Sequence, residues 1–179
     1  MTTPHAQQQY QVRFGWGLRG AAAISPGAHI VVWVDALASD DAPDPLSIAG
    51  PAAIVAGTPG NAAAVARYVL DRQAELGDRA VVAVVAAGTD DGRYCVEDQL
   101  AAGAVIDALG EAGIDYTSPE AAAASAAYLS LCGAMRHLLS ASVAGQALIA
   151  ARGREPIDAA IEASSRPELR VLREFSPPA

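Results

Sequence analysis

Apolar and polar positions follow two rhythms along this chain. Runs such as "IVVWV" and "AVVAVVAA" are apolar at every position, while longer segments repeat apolar residues every three or four positions. Unbroken apolar runs suit strands covered on both faces, and their alternation with helical segments predicts an α/β fold, a mostly parallel sheet flanked by helices. The pattern predicts strands over Gln9–Phe14, His29–Val34, Ala52–Ala56 and Ala80–Ala87, with a further candidate at Leu169–Leu172. It predicts a helix over Asn61–Ala74, where Val65, Tyr68 and Val69 share a face and Gly77 supplies the stop. A second helix is expected over Val96–Leu109, with Leu100, Ala104 and Ala108 four apart. Beyond Pro119, "EAAAASAAYLSLCGAM" and "SVAGQALIAARG" read as helices, the latter stopped by Gly153, and Pro156 opens a short last helix, "IDAAIEA".

Between Ala36 and Pro51 the period disappears into "ALASDDAPDPLSIAG", acidic and rich in proline. So long a loop in a compact domain points to a functional segment or a remnant. Residues 1–179 are read as a single α/β domain with this loop at 36–51 and a frayed tail at 176–179. The small side chains of the alanine-rich helical faces would allow the close approach of a second copy, a homodimer.

Composition narrows the function classes. The chain is 52% hydrophobic and 18% charged, which favours a folded core over disorder. Its longest apolar runs fall well short of the roughly 20 residues that span a bilayer. The opening "MTTPHAQQQYQ" lacks the basic and apolar regions of a secretory signal, so a cytoplasmic protein is expected. A net charge of −8 disfavours nucleic acid and anionic membrane as partners. An acidic protein that handles an anion needs local help from a divalent cation, arginines or helix N-termini. Cys95 and Cys132 suggest small buried thiols rather than a disulfide framework or zinc site. His5, His29 and His137 have no metal-ligand spacing, no nucleophile elbow is present, and Trp16 and Trp33 are expected to pack the core.

Ligands of open parallel sheets bind beyond the carboxyl ends of the strands. Three such ends can be read, and they share one rim if their strands are neighbours. The first carries Asp35, either a turn residue or a carboxylate able to hold Mg²⁺ or attack phosphorus. The second carries "GTPGN", residues 57–61. Its amides, from Gly57, Thr58, Gly60 and Asn61, could cradle an anion, or Asn61 could simply cap a helix behind a tight turn. The third carries "GTDDGRYCVED", where Glu97 and Asp98 occupy the first turn of a helix and could serve its dipole alone. Arg93 is less expected on that reading. Beside Gly92 it could clamp an anion, while Glu97 or Asp98 binds a metal bridging to the same anion.

These stretches carry a resemblance. "GRYCVEDQLAAGAVIDAL" resembles the "NGRY…EDxLAAGAIIDAL" motif of the 2-phosphosulfolactate phosphatase family, and "VAGTPGNAAAVARYV" resembles that family's "AGSLRNAxAVA" segment. "VRFGWGLRGA" before "IVVWVDAL" is similar to a "DWGxxGA…VVVIDVL" start, and "LLSASVAGQALIAARGREPIDAAIEAS" to "SxSGxELxxxGFxxDVxxA". The order of the segments is kept along nearly the whole chain.

The resemblance implies the family's α/β fold and Mg²⁺-dependent hydrolysis of a small anionic phosphate ester, 2-phosphosulfolactate to sulfolactate and phosphate, in the coenzyme M pathway. It implies Asp35, Arg93 and Glu97 as catalytic residues, with Asp35, Glu97 and Asp98 as metal ligands. Gly57, Thr58, Gly60, Asn61, Gly92 and Arg93 would bind substrate. The chain departs from the pattern where Gly15 replaces the Asp of "DWG", where Gly60 replaces the Arg of "LRNA", around Ser164, and after Asp35, where a further strand is replaced by the proline-rich loop. The alternative to an enzyme is therefore an inactive relative that keeps the scaffold for ligand binding or assembly.

Overall fold

A computed structural model of the protein describes residues 3–38, 42–89 and 93–176. Five strands form one sheet: β1 (Val12–Trp16), β2 (Ile30–Val34), β3 (Ala53–Ala56), β4 (Val82–Ala86) and β5 (Arg170–Arg173), in the order β1-β4-β2-β3-β5. All neighbours pair in parallel except β5, which runs antiparallel to β3. The fold is therefore α/β with a mostly parallel sheet, as the apolar runs predict.

The reason for those runs is visible on the two faces of β2. Ile30, Val32 and Val34 belong to one core with Val82 and Val84 and with α2 (Ala62–Leu76), α3 (Val96–Glu111) and α4 (Pro119–Leu131). Val31 and Trp33 belong to a second core, shared with Ala83, Val85 and Ile54 and covered by α1 (Gly17–Ile24) and the buried Ile48. Neither face meets water, so no polar alternation survives. Trp16 packs at the edge of the first core.

Several elements differ from the sequence pattern. β1 lies two to three residues later than expected, because Gln11 and Val12 both donate their amides to Tyr116 O and pairing with β4 continues to Trp16. Helix α1 was not predicted. It starts at Gly17, where φ is 57°, and buries little beyond Gly17, Ala21 and Ile24. It lies so close to β1 that a Cβ on Gly20 would sit 3.0 Å from the Gly15 carbonyl carbon. The helix expected through Gly133 ends at Leu131, and a 3₁₀ turn leads into α5 (Met135–Ala141). Helices α6 (Val143–Arg152) and α7 (Glu155–Ser164) follow. The last three helices have a small core of their own, Leu139, Ile157 and Ile161, to which Leu37 from the end of β2 is added.

The loop after Asp35 is tied down at its far end. It carries a 3₁₀ turn at Pro45–Ser47, buries Ile48, and receives hydrogen bonds from the Arg173 guanidinium at Ile48 O (2.7 Å) and Ala52 O (3.1 Å). Ser176, read as part of a frayed tail, donates its amide to Pro51 O at 2.9 Å. The rest of that tail lies outside the described residues. Arg13 is buried on β1 and meets backbone carbonyls, donating to Ile24 O and Pro26 O at 2.9 Å each. No described helix is long and apolar enough to cross a membrane.

Candidate functional site

The sheet order decides which strand ends can cooperate. β2 and β4 are adjacent, yet β2 leads on to β3 while β4 leads to α3. Divergent connections leave a crevice beyond the strand ends, the usual ligand position in such sheets. A cavity of about 280 Å³ occupies it, lined by Asp35 from the end of β2, Gly88 and Thr89 after β4, Cys95, Glu97 and Asp98 at the start of α3, and one face of α6.

The stretch after β4 is shaped by its own hydrogen bonds. Thr89 donates its amide to Arg93 O at 3.1 Å, and Arg93 donates its amide to Thr89 Oγ1 at 2.9 Å, which closes the loop. Gly88 is required at its base, since φ is 70° and a Cβ would approach Arg93 O to 2.7 Å. Gly92, expected to bind substrate, lies outside the described residues. Arg93 is exposed beside Tyr94, whose ring stacks at 5.2 Å on Trp16.

Asp98 is the best-positioned acid. Only 3% exposed, it accepts from the Ala36 amide through Oδ1 and from the Gly88 amide through Oδ2, both at 2.8 Å. It joins the ends of β2 and β4 and fixes Asp35 beside Ala36. Burial raises its pKa to about 7. The two amide bonds oppose that rise, and the charges of Asp35 and Glu97 add to it. Glu97 is also buried and lies beside the Cys95 thiol. Burial first, then the charges of Glu97, Asp98 and Asp35, push that thiol up to about 12, so Cys95 is an inert buried thiol.

Asp35, Glu97 and Asp98 thus face one cavity. Among the described residues, however, no group of three or more His, Cys, Asp or Glu side chains is placed to hold a metal ion. The expected three-carboxylate ligand set is not assembled among the described residues, and Asp98 gives one lone pair of each oxygen to a backbone amide. Mg²⁺ ordinarily takes only one or two protein carboxylates and completes its shell with water and substrate oxygens. Asp35 and Glu97 fit that smaller requirement.

The loop at 57–61 is corrected more sharply. Gly57 donates its amide to Trp33 O (2.8 Å), Thr58 to Asn61 Oδ1 (2.8 Å), Gly60 to Ser164 O (2.8 Å) and Asn61 to Thr58 Oγ1 (3.2 Å). Pro59 has no amide hydrogen, so the four backbone amides expected to cradle an anion are already engaged. Asn61 stands at the N-cap position of α2, but its side chain caps no helical amide. It donates instead to Ala56 O and Glu168 O. Gly60 lies against the backbone of Ser165, into which a Cβ would run. The three strand ends therefore do not form one anion rim. Those of β2 and β4 enclose the carboxylate cavity, and that of β3 is sealed by the turn after α7.

Arg152 was missed by sequence reasoning. It lies on the face of α6 that carries Ala144, Ala147 and Leu148, all lining the cavity. Helical spacing gives that face, but not what it faces.

No curated protein matches the chain. Residues 46–173 of the 179 match the family described as 2-phosphosulpholactate phosphatase. The matched span contains Glu97, Asp98 and the 57–61 loop and begins beyond Asp35. With well over half of its length matched, the chain belongs to the 2-phosphosulpholactate phosphatase family.

Proposed function

We propose that this protein is a cytoplasmic, Mg²⁺-dependent phosphatase acting on a small anionic phosphate ester, 2-phosphosulfolactate being the first candidate through the family. What carries the reading is the placement of Asp35, Glu97 and Asp98 on one cavity at the β2/β4 crevice, with Asp98 pinning both strand ends. In such a site Asp98 positions rather than reacts. Asp35 and Glu97 would hold the cation, which when bound supplies the charge that neutralises the phosphoryl oxygens. Asp35, partly exposed, is the carboxylate able to orient a water or attack phosphorus, and Arg93 offers positive charge from the exposed loop.

A relative that binds ligand without turnover is the second reading. It is favoured by the engaged amides of 57–61 and by Gly60, which is packed against Ser165 where the family motif has an arginine. Phosphate release from 2-phosphosulfolactate and an aryl phosphate, with Mg²⁺ and with a chelator, separates the two. The enzyme reading expects release that the chelator abolishes. No release from either ester in the presence of Mg²⁺ would overturn it.

A further inference from the structure

We propose that Arg152 is the residue that binds the acid group of the substrate other than its phosphoryl group, an assignment that rests on the phosphatase reading of the same cavity. The inference begins with charge. Asp35 and Glu97 give the cavity a negative lining, and one divalent cation does not offset two carboxylates and an incoming phosphate ester as well. The amides of Gly57, Thr58, Gly60 and Asn61 cannot help, because each is engaged within the protein. Among the described residues that line the cavity, Arg152 carries the positive charge.

Its placement suits that task. Ala144, Leu148 and Arg152 recur at intervals of four along α6, with Ala147 beside them, so one helix face presents two methyl groups, an apolar branch and then a guanidinium. The small alanines leave room between α6 and the carboxylates of α3. Asp35 and Glu97 line the cavity from the end of β2 and the start of α3, and Arg152 lines it from α6. The cavity's 280 Å³ suits a compact ester rather than a nucleotide. Arg152 already has a polar contact within the protein. Its five N–H donors allow a carboxylate or sulfonate to share the guanidinium.

Equilibrium binding tests the assignment without requiring turnover. Phosphoglycolate, which carries a carboxylate beside its phosphate ester, and methyl phosphate, which lacks one, would be titrated calorimetrically into the whole protein with Mg²⁺ present. Wild type should bind phosphoglycolate at least about 10-fold more tightly, the span expected of a charge-assisted contact. Arg152→Gln should remove that preference while methyl phosphate affinity stays nearly constant, and Arg152→Lys should keep part of it. Equal affinities in wild type, absence of binding by either probe, or an unchanged preference in Arg152→Gln would overturn the assignment. Phosphate release measured in parallel keeps the two claims apart: an Arg152-dependent preference without turnover removes the phosphatase reading and leaves Arg152 in place.

Discussion

Asp98 Oδ1 accepts the backbone amide of Ala36 at 2.8 Å, across 62 positions of sequence, and so locks the first turn of α3 to the end of β2. Its other oxygen does the same for Gly88 after β4. Asp98→Ala would leave two amides without their acceptor, at a cost of about 1–3 kcal/mol each where they stay dry. Urea unfolding should show a loss of that order.

The same carboxyl gives the protein a pH-dependent weakness. Its pKa is about 7 in the folded chain against an ordinary 3.8, so between those values the folded state holds a proton the unfolded state has released. This group's contribution to stability therefore falls as pH rises from about 4 to 7 and is constant outside that window. Urea midpoints of Asp98→Asn should lack this part of the slope, so wild type gains on the variant as the pH is lowered.

His29 acts in the opposite sense. Its Nδ1 accepts the Val81 amide at 2.9 Å, and burial, then the Arg72 charge, lowers its pKa, with Asp78 opposing them. The unfolded chain takes up the proton first as pH falls below about 6.5. The stability due to neutral His29 is thus full above that pH and is lost below it, until the folded state also protonates. His29→Asn can retain an acceptor without the titration, so wild type should lose stability relative to this variant as the pH falls below about 6.5.

Gly60 tests the corrected loop. Restoring a side chain there, by Gly60→Ala or Gly60→Arg, drives a Cβ into the Ser165 backbone and displaces the turn after α7. A loss of about 1–3 kcal/mol is expected, the range for overpacking a fitted site. A Gly60→Arg variant as stable as wild type would show that this turn yields easily and that the anion cradle can be rebuilt.

The sheet was legible because β2 and β4 are covered on both faces, which leaves unbroken runs such as Val82–Ala86 with no other use in a chain this size. Helix α1 was hidden because it spans only eight residues and two of them are glycines, of which Gly20 packs on Gly15 of β1. At the site, Glu97 and Asp98 were legible as first-turn acids. That Asp98 would hold amides of Ala36 and Gly88 depends on β4 inserting beside β2, a long-range pairing that no local pattern encodes. "GTPGN" has the composition of an anion cradle and of a self-satisfied turn alike, and the choice is made by Ser164 O, more than a hundred residues away. Arg152 was readable as a helix-end cation, but its place in the cavity depends on how α6 lies over the strand ends.

The most direct measurement is Mg²⁺-dependent phosphate release by wild type, Asp35→Asn and Glu97→Gln, with folding of each checked by circular dichroism. If the β2/β4 cavity is the working site, both variants should stay folded and lose on the order of 100-fold or more in rate. Folded variants that release phosphate at the wild-type rate would contradict it.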